Sequence, residues 1–227
     1  MKRTIFLVAC IVGSSMISCK NNSSEASVAK GDAAVSKPTE APAYSKFGMK
    51  DTDVPYGLKK GDKAPTIEVL INGVKTPLST LYKDQTVALF FYRGNWCPVC
   101  NKHLADFTER ARDLTAKGIK LVAVTPEDAD GIDKMKEKTG ANFTIISDLD
   151  GSIQKAFDVD YIVTSNYAKK IEDNLGTSIA DNNASGEAVL PVPATYVINR
   201  AGEIIYSHFD VNYKNRASVD DILNSVP

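Results

Sequence analysis

Cys97 and Cys100 stand in the stretch Arg93-Gly94-Asn95-Trp96-Cys97-Pro98-Val99-Cys100-Asn101, with two residues between the sulfurs. At the start of a helix, such a pair sits where unpaired backbone N–H groups and the helix dipole favour thiolate over thiol. One helical turn brings the two sulfurs close enough for a strained, reducible bond, whereas structural disulfides usually close longer loops. The chemistry implied is a dithiol that is made and broken repeatedly. Two reactions fit it. In thiol–disulfide exchange, Cys97, the N-terminal and more exposed sulfur, attacks as thiolate and Cys100 resolves the mixed disulfide. In peroxide reduction, one cysteine becomes a sulfenic acid and the other condenses with it. Covalent haem attachment requires His after the second cysteine, and Asn101 stands there instead. Structural zinc calls for four ligands, and beyond the pair only His103 and His208 are available. No metal and no cofactor are therefore expected.

The pair needs a strand to deliver it and a helix to hold it. Thr86–Tyr92 is an apolar, aromatic-rich run of the kind buried on both faces of a sheet, and Cys97–Lys117 carries helical spacing at Leu104, Phe107, Ala111 and Leu114, with a stop at Gly118. Upstream, Thr66–Ile71 and Val74–Leu78 form a hairpin about Asn72-Gly73. Downstream come a strand at Ile119–Val124, a helix at Asp128–Thr139, a strand at Thr144–Ile146 and a short helix at Gly151–Phe157. Asp158–Leu190 is an insertion with a helix at Ser165–Leu175 and a polar loop, fit to be an interface, a lid or decoration. Ala194–Ile198 and Glu203–His208 make a late hairpin through Asn199–Gly202, and a helix over Ala217–Asn224 closes the chain. That order is a thioredoxin-like α/β fold: a central mixed sheet flanked by helices, with an N-terminal hairpin and an insertion before the late hairpin.

The 227 residues carry a formal net charge of -1, with 24% charged and 43% hydrophobic side chains, which fits one globular domain plus extensions. Lys and Arg are scattered among Asp and Glu, so no nucleic-acid partner is expected. Lys2 and Arg3 precede an apolar run at Ile5–Val12 too short to anchor in a bilayer, the pattern of an export signal. Met16-Ile17-Ser18-Cys19 resembles a bacterial lipoprotein box, which implies removal of Cys10 with the signal and acylation of Cys19. An ordinary signal peptide with a chance cysteine is the alternative. Lys20–Lys46 is polar and Pro-containing, a flexible tether. The expected division is a signal at 1–18, lipidated Cys19 and tether over 19–55, and the folded domain over 56–227. Membrane attachment then runs through the lipid, with the domain extracytoplasmic in the cell envelope, a compartment where thiol pairs can be oxidised.

The Arg93–Asn101 stretch, together with Pro191-Val192-Pro193-Ala194-Thr195-Tyr196-Val197-Ile198-Asn199-Arg200-Ala201-Gly202, resembles the peroxiredoxin-like branch of the alkyl hydroperoxide reductase C and thiol-specific antioxidant family, over roughly residues 56–227. The resemblance implies a cis Val192–Pro193 bond facing the cysteines, with Trp96, Val192 and Pro193 bordering a substrate groove. It also implies a protein disulfide or a peroxide as substrate and an upstream dithiol as reductant. The departures matter as much. Established peroxidase sites of the family carry Pro-x-x-x-Thr-x-x-Cys; with Cys100 on the peroxidatic position, Arg93 replaces the proline and Cys97 the threonine. The family's late-strand arginine falls on Pro193. Arg93 is either the substitute guanidinium beside the sulfurs or a solvent-facing side chain. Thioredoxins place a buried carboxylate six residues before the first cysteine, and Phe91 stands there. Glu127, after the Ile119–Val124 strand, is the candidate proton acceptor, with a surface loop acid as the other reading.

Overall fold

Strand β3, Thr86–Phe91, is apolar at every position after its first, and a strand of that composition must be covered on both faces. Ala88 and Phe90 pack with Cys100, Leu104 and Phe107 on one side, while Val87, Leu89 and Phe91 pack with Phe157 and Tyr196 on the other. The computed structural model describes residues 44–71 and 73–227. The expected signal, Cys19 and most of the tether lie outside the described residues, as does Asn72 of the expected hairpin turn.

In chain order the elements are β1 (Glu68–Ile71), β2 (Val74–Pro77), β3, α1 (Pro98–Glu109), α2 (Ala111–Ala116), β4 (Ile119–Thr125), α3 (Ala129–Thr139), β5 (Thr144–Ser147), α4 (Ser152–Ala156), β6 (Asp160–Ile162), α5 (Ser165–Leu175), α6 (Ile179–Asn182), β7 (Val189–Pro191), β8 (Thr195–Ile198), β9 (Ile204–His208) and α7 (Val219–Ser225). The central sheet has the order β5-β4-β3-β8-β9. β3, β4 and β5 run parallel, β8 pairs antiparallel with β3, and β9 pairs antiparallel with β8, so the sheet is mixed as the thioredoxin-like reading requires. β1 and β2 form the separate N-terminal hairpin.

Three local features depart from the sequence reading. The expected helix Cys97–Lys117 is two helices, α1 and α2, with Arg110 between them at φ -104° and ψ 15°. Two residues earlier, the Thr108 hydroxyl donates to the Leu104 carbonyl at 2.8 Å, competing with the helical ladder, and Arg110 is drawn outward to Asp113 and Asp220. The end of the expected tether is ordered: Tyr44–Phe47 form a 3-10 turn, Met49 is in the core, and the Gly48 carbonyl accepts from Thr164 N–H at 2.8 Å. Large apolar side chains at Tyr44, Phe47 and Met49 supply the burial that the polar stretch before them lacks. Finally, the insertion is closed at its base by a two-stranded antiparallel ribbon, β6–β7, whose strands are too short to register as a sequence pattern.

Candidate active site

β3 hands the chain to the site. Tyr92 N–H still donates to the Val124 carbonyl at 3.0 Å, after which Arg93–Trp96 turn from the carboxyl end of the central strand into α1. Cys97 is the N-cap of α1, Pro98 occupies the first helical position, where a missing N–H costs nothing, and Cys100 lies one turn in. Both cysteines are free thiols and both are fully buried. Cys97 is therefore not the exposed sulfur that its N-terminal place suggests. The reason is a roof. Arg93, 3% exposed, donates from Nη2 to Cys97 Sγ at 3.1 Å and from Nη1 to the Tyr167 hydroxyl at 2.9 Å. Its guanidinium lies 3.7 Å over the Tyr213 ring and 5.3 Å from the Trp96 ring. Tyr167 is on α5 and Tyr161 on β6, so the insertion walls in the site rather than decorating the surface. Burial works against the charge on Arg93, yet the adjoining sulfurs and tyrosines hold its pKa above the usual value.

A second guanidinium stands on the second sulfur. Arg216, in the loop before α7, approaches Cys100 Sγ with Nη2 at 3.5 Å, donates from Nε to the Tyr213 carbonyl at 2.6 Å, and points Nη1 at His103 Nδ1 at 3.4 Å. His103 Nε2 lies 3.0 Å from the Ala217 carbonyl, which only accepts, so Nε2 carries the hydrogen and Nδ1 is left to accept from Arg216. Burial, followed by the charge of Arg216, pushes His103 down to about 4, which keeps the ring neutral. The pair of sulfurs shares one proton. Cys97 is pushed up by its hydrogen bond to Cys100, by burial and by the charge on Cys100, with Arg93 opposing. Cys100 is drawn well below the usual thiol range: burial acts against this, and the hydrogen bond from Cys97 and the charges of Arg216 and Arg93 outweigh it. Of the two sulfurs, the surroundings favour negative charge on Cys100 over Cys97.

The expected substrate groove is closed. Trp96 is 8% exposed, and Val192 and Pro193 are buried, Val192 within the same apolar cluster as both sulfurs. No peptide bond among the described residues is cis, so Val192–Pro193 is trans. Ala194 N–H donates back to the Val192 carbonyl at 2.7 Å, a three-residue turn that suits the fixed φ of proline, and Ala194 then hands its own carbonyl to Phe91 N–H at 2.9 Å. A surface depression of about 350 Å³ is lined by His103, Phe107, Arg216 and Val219, and so borders the arginine and histidine beside Cys100. His208, at the end of β9, lies 3.3 Å from the Asn215 carbonyl and takes no part in the site.

Glu127 is no surface acid. It is fully buried, and its carboxylate accepts from the Asn95 backbone N–H at 2.9 and 3.0 Å and from Asn95 Nδ2 at 2.6 Å. Lys138 on α3 donates to the Asn95 carbonyl at 3.0 Å and to its Oδ1 at 2.8 Å. Burial, offset by the Asn95 bonds and reinforced by the charge of Cys100, raises Glu127 to about 7. Sequence reasoning found Arg93 from its distance to the cysteines along the chain and Glu127 from its place in the loop after the Ile119–Val124 strand. It missed Arg216, Tyr167, Tyr161 and Asn95. Only Asn95, two residues before Cys97, carried a signal of position.

Paired free thiols at the mouth of a helix, just past the carboxyl end of the central strand of a mixed five-stranded sheet, define a class: thiol-based redox proteins with the thioredoxin-like fold. Within that class the chain belongs to the AhpC/TSA family, whose model matches residues 60–207, and it is an oxidoreductase of the peroxiredoxin-like kind. It is 26% identical over 110 residues to peroxiredoxin Bcp of Bacillus subtilis (strain 168), covering 48% of this chain and 69% of that protein. It is 30% identical over 149 residues to prostamide/prostaglandin F synthase of Aquarana catesbeiana, covering 61% of this chain and 72% of that one. The crystal structure of reduced Prx3 from Vibrio vulnificus in complex with H2O2 superposes with a TM-score of 0.58 at 19% identity, over 75% of this chain and 99% of that chain, a likeness of fold.

Proposed function

We propose that the protein is a thiol-dependent peroxidase in which Cys100 attacks a hydroperoxide and Cys97 resolves the product. The observation that carries this reading is Arg216 Nη2 at 3.5 Å from Cys100 Sγ, a cationic donor beside the sulfur that occupies the peroxidatic position. Peroxide cleavage needs a thiolate and a positive donor on the breaking O–O bond, and the family's usual arginine position is Pro193 here. The Cys100 thiolate forms an S–O bond to the terminal peroxide oxygen as the O–O bond breaks; the leaving alkoxide or hydroxide takes a proton, and Cys100 becomes a sulfenic acid. Cys97 then attacks the Cys100 sulfur, the S–S bond forms, and the sulfenic oxygen departs as water. A dithiol of the thioredoxin type returns two electrons. Fully buried sulfurs beneath the Arg93 roof suit a small oxidant better than the disulfide of a folded protein.

A second reading, thiol–disulfide exchange starting at Cys97, is favoured by one observation: Arg93 Nη2 lies 3.1 Å from Cys97 Sγ and would stabilise a thiolate there. The two separate in one pair of measurements. Stopped-flow mixing of reduced protein with hydrogen peroxide is expected to show oxidation far faster than a free thiol, with little reduction of insulin disulfides. Ordinary thiol rates together with insulin reduction that is lost in Cys97→Ser would transfer the assignment to exchange. The proposed setting is a domain tethered to a membrane of the cell envelope by lipidated Cys19, supported by the Lys2–Arg3 start, the apolar run and the Met16–Cys19 box. Labelling with a fatty acid is expected to mark the protein and to be lost in Cys19→Ser; an unlabelled, freely released wild-type protein would refute the tether.

A further inference from the structure

The conversion described above does not balance on the two cysteines alone. A thiol at Cys97, a thiolate at Cys100 and one hydroperoxide yield a disulfide, an alcohol and water only if one further proton is supplied. Reduction of the disulfide back to the thiol–thiolate pair takes up one proton on Cys97. The site therefore needs a store that releases a proton as the pair is oxidised.

Resting on the dithiol reading of the previous subsection, we propose that Glu127 is that store: it gives up its proton when Cys100 loses its negative charge and takes one back when the thiolate returns. The geometry supports this in three ways. Glu127 is fully buried yet, among the described residues, has no cation within ion-pair distance: Asn95 bonds both its carboxylate and Lys138. It is packed tight between the loop that presents Cys97 and α3: a Cβ on Gly94 would come within 2.9 Å of Oε1, and a Cβ on Gly131 within 2.7 Å of the Glu127 Cβ. Tyr92, at the end of β3, has a fully buried side chain whose hydroxyl feels the charges of both Glu127 and Cys100. The groups facing Glu127 are Tyr92 from the end of β3, Asn95 from the loop, Cys100 from α1 and Lys138 from α3. Of these only Cys100 changes charge in the redox cycle. Its thiolate helps to raise Glu127 to about 7, so removing that charge acidifies the carboxyl group. Glu127 touches neither sulfur within hydrogen-bond reach and acts as a positioning and proton-storing residue.

The test is the pH dependence of the reduction potential of the pair in the reduced and oxidised full-length protein and in Glu127→Gln. Each proton taken up on reduction changes the equilibrium tenfold per pH unit, about 30 mV for a two-electron couple. Wild type is expected to follow about 60 mV per pH unit just below neutrality, with Cys97 and Glu127 both protonated on reduction, and to bend to about 30 mV above it. Glu127→Gln is expected to hold about 30 mV throughout that range. Equal slopes in the two proteins would overturn the proposal while leaving the dithiol intact. A pair that shows no reversible couple at all would instead overturn the dithiol reading. Should the variant fail to fold, the unmodified protein serves: its reduced-minus-oxidised infrared difference spectrum just below neutral pH is expected to show the carbonyl stretch of a protonated carboxyl group in the reduced state only, and its absence would refute the store.

Discussion

Replacing Arg216 with Met removes a guanidinium from Cys100 while keeping an unbranched, flexible side chain in its place. Hydrogen bonds to a charged partner contribute about 1.5–3 kcal/mol. Two full charges 3.5 Å apart would attract by roughly 5 kcal/mol at an effective dielectric of 20, an upper bound that water beside this half-buried side chain reduces. The contact distance is at the long end of the range, so the lower half of the hydrogen-bond figure applies, about 1.5–2 kcal/mol, or a tenfold to thirtyfold loss in the ionisation equilibrium of Cys100. Ultraviolet absorbance of the thiolate followed against pH measures this directly, with Cys10, Cys19 and Cys97 replaced by Ser in the background so that one thiol titrates. The thiolate is expected to appear at higher pH in Arg216→Met, and the rate of oxidation by hydrogen peroxide at neutral pH to fall by at least that factor, because the same guanidinium faces the developing charge on the leaving oxygen. An unmoved titration in Arg216→Met, with a large displacement in Arg93→Met, would show that Arg93 alone sustains the thiolate.

Two buried groups should oppose each other in stability against pH. Glu127 carries a raised pKa, from 4.5 to about 7, so its folded form binds more protons than the unfolded one between those values, and its contribution is lost as pH rises through them. His103 carries a lowered one, from 6.5 to about 4, so its contribution grows as pH rises through that window. Each amounts to about 3 kcal/mol. In chemical denaturation of the reduced protein, Glu127→Gln is expected to gain stability from about pH 4.5 to 6.5 relative to wild type, and His103→Phe to lose it; parallel curves for all three would contradict the assignments. Gly94→Ala forces a methyl against Glu127 and the Trp96 indole and should cost about 1–3 kcal/mol in the same assay; a neutral result would mean that the loop is not clamped as described. Tyr167→Phe strips a 2.9 Å bond from the buried Arg93 and should cost about 1–3 kcal/mol while leaving the titration of Cys100 nearly unchanged.

Much of the frame was legible because it rests on local pattern. The run after Thr86 reads as a strand buried on both faces, and the spacing at Leu104 and Phe107 reads as a helix packed on it, since burial imposes those periods. The helix expected over Ser165–Leu175 has those bounds in the structure, where Gly176 takes the left-handed conformation that stops it. The site was legible only in its local half. Arg216 is 116 residues from Cys100, and Tyr167 is 74 from Arg93; no spacing rule connects them, because chain reversals through the late hairpin and the insertion bring them together. The expectation of an exposed Cys97 failed for the same reason: the cover over it comes from Arg93 and from distant aromatic side chains. The cis expectation at Pro193 followed from resemblance, and the trans turn with Ala194 meets the same need to pass Ala194 to β3.

The assignment of roles within the pair is tested most directly by the product that each single-cysteine variant forms with one equivalent of hydrogen peroxide, captured by a sulfenic-acid-specific reagent and located by mass spectrometry. Cys97→Ser, with Cys100 and both arginines intact, is expected to react at the wild-type rate and stop as a trapped sulfenic acid on Cys100, whereas Cys100→Ser reacts no faster than a free thiol. Rapid trapping on Cys97 in Cys100→Ser, with Cys100 inert in the reciprocal variant, would contradict the account.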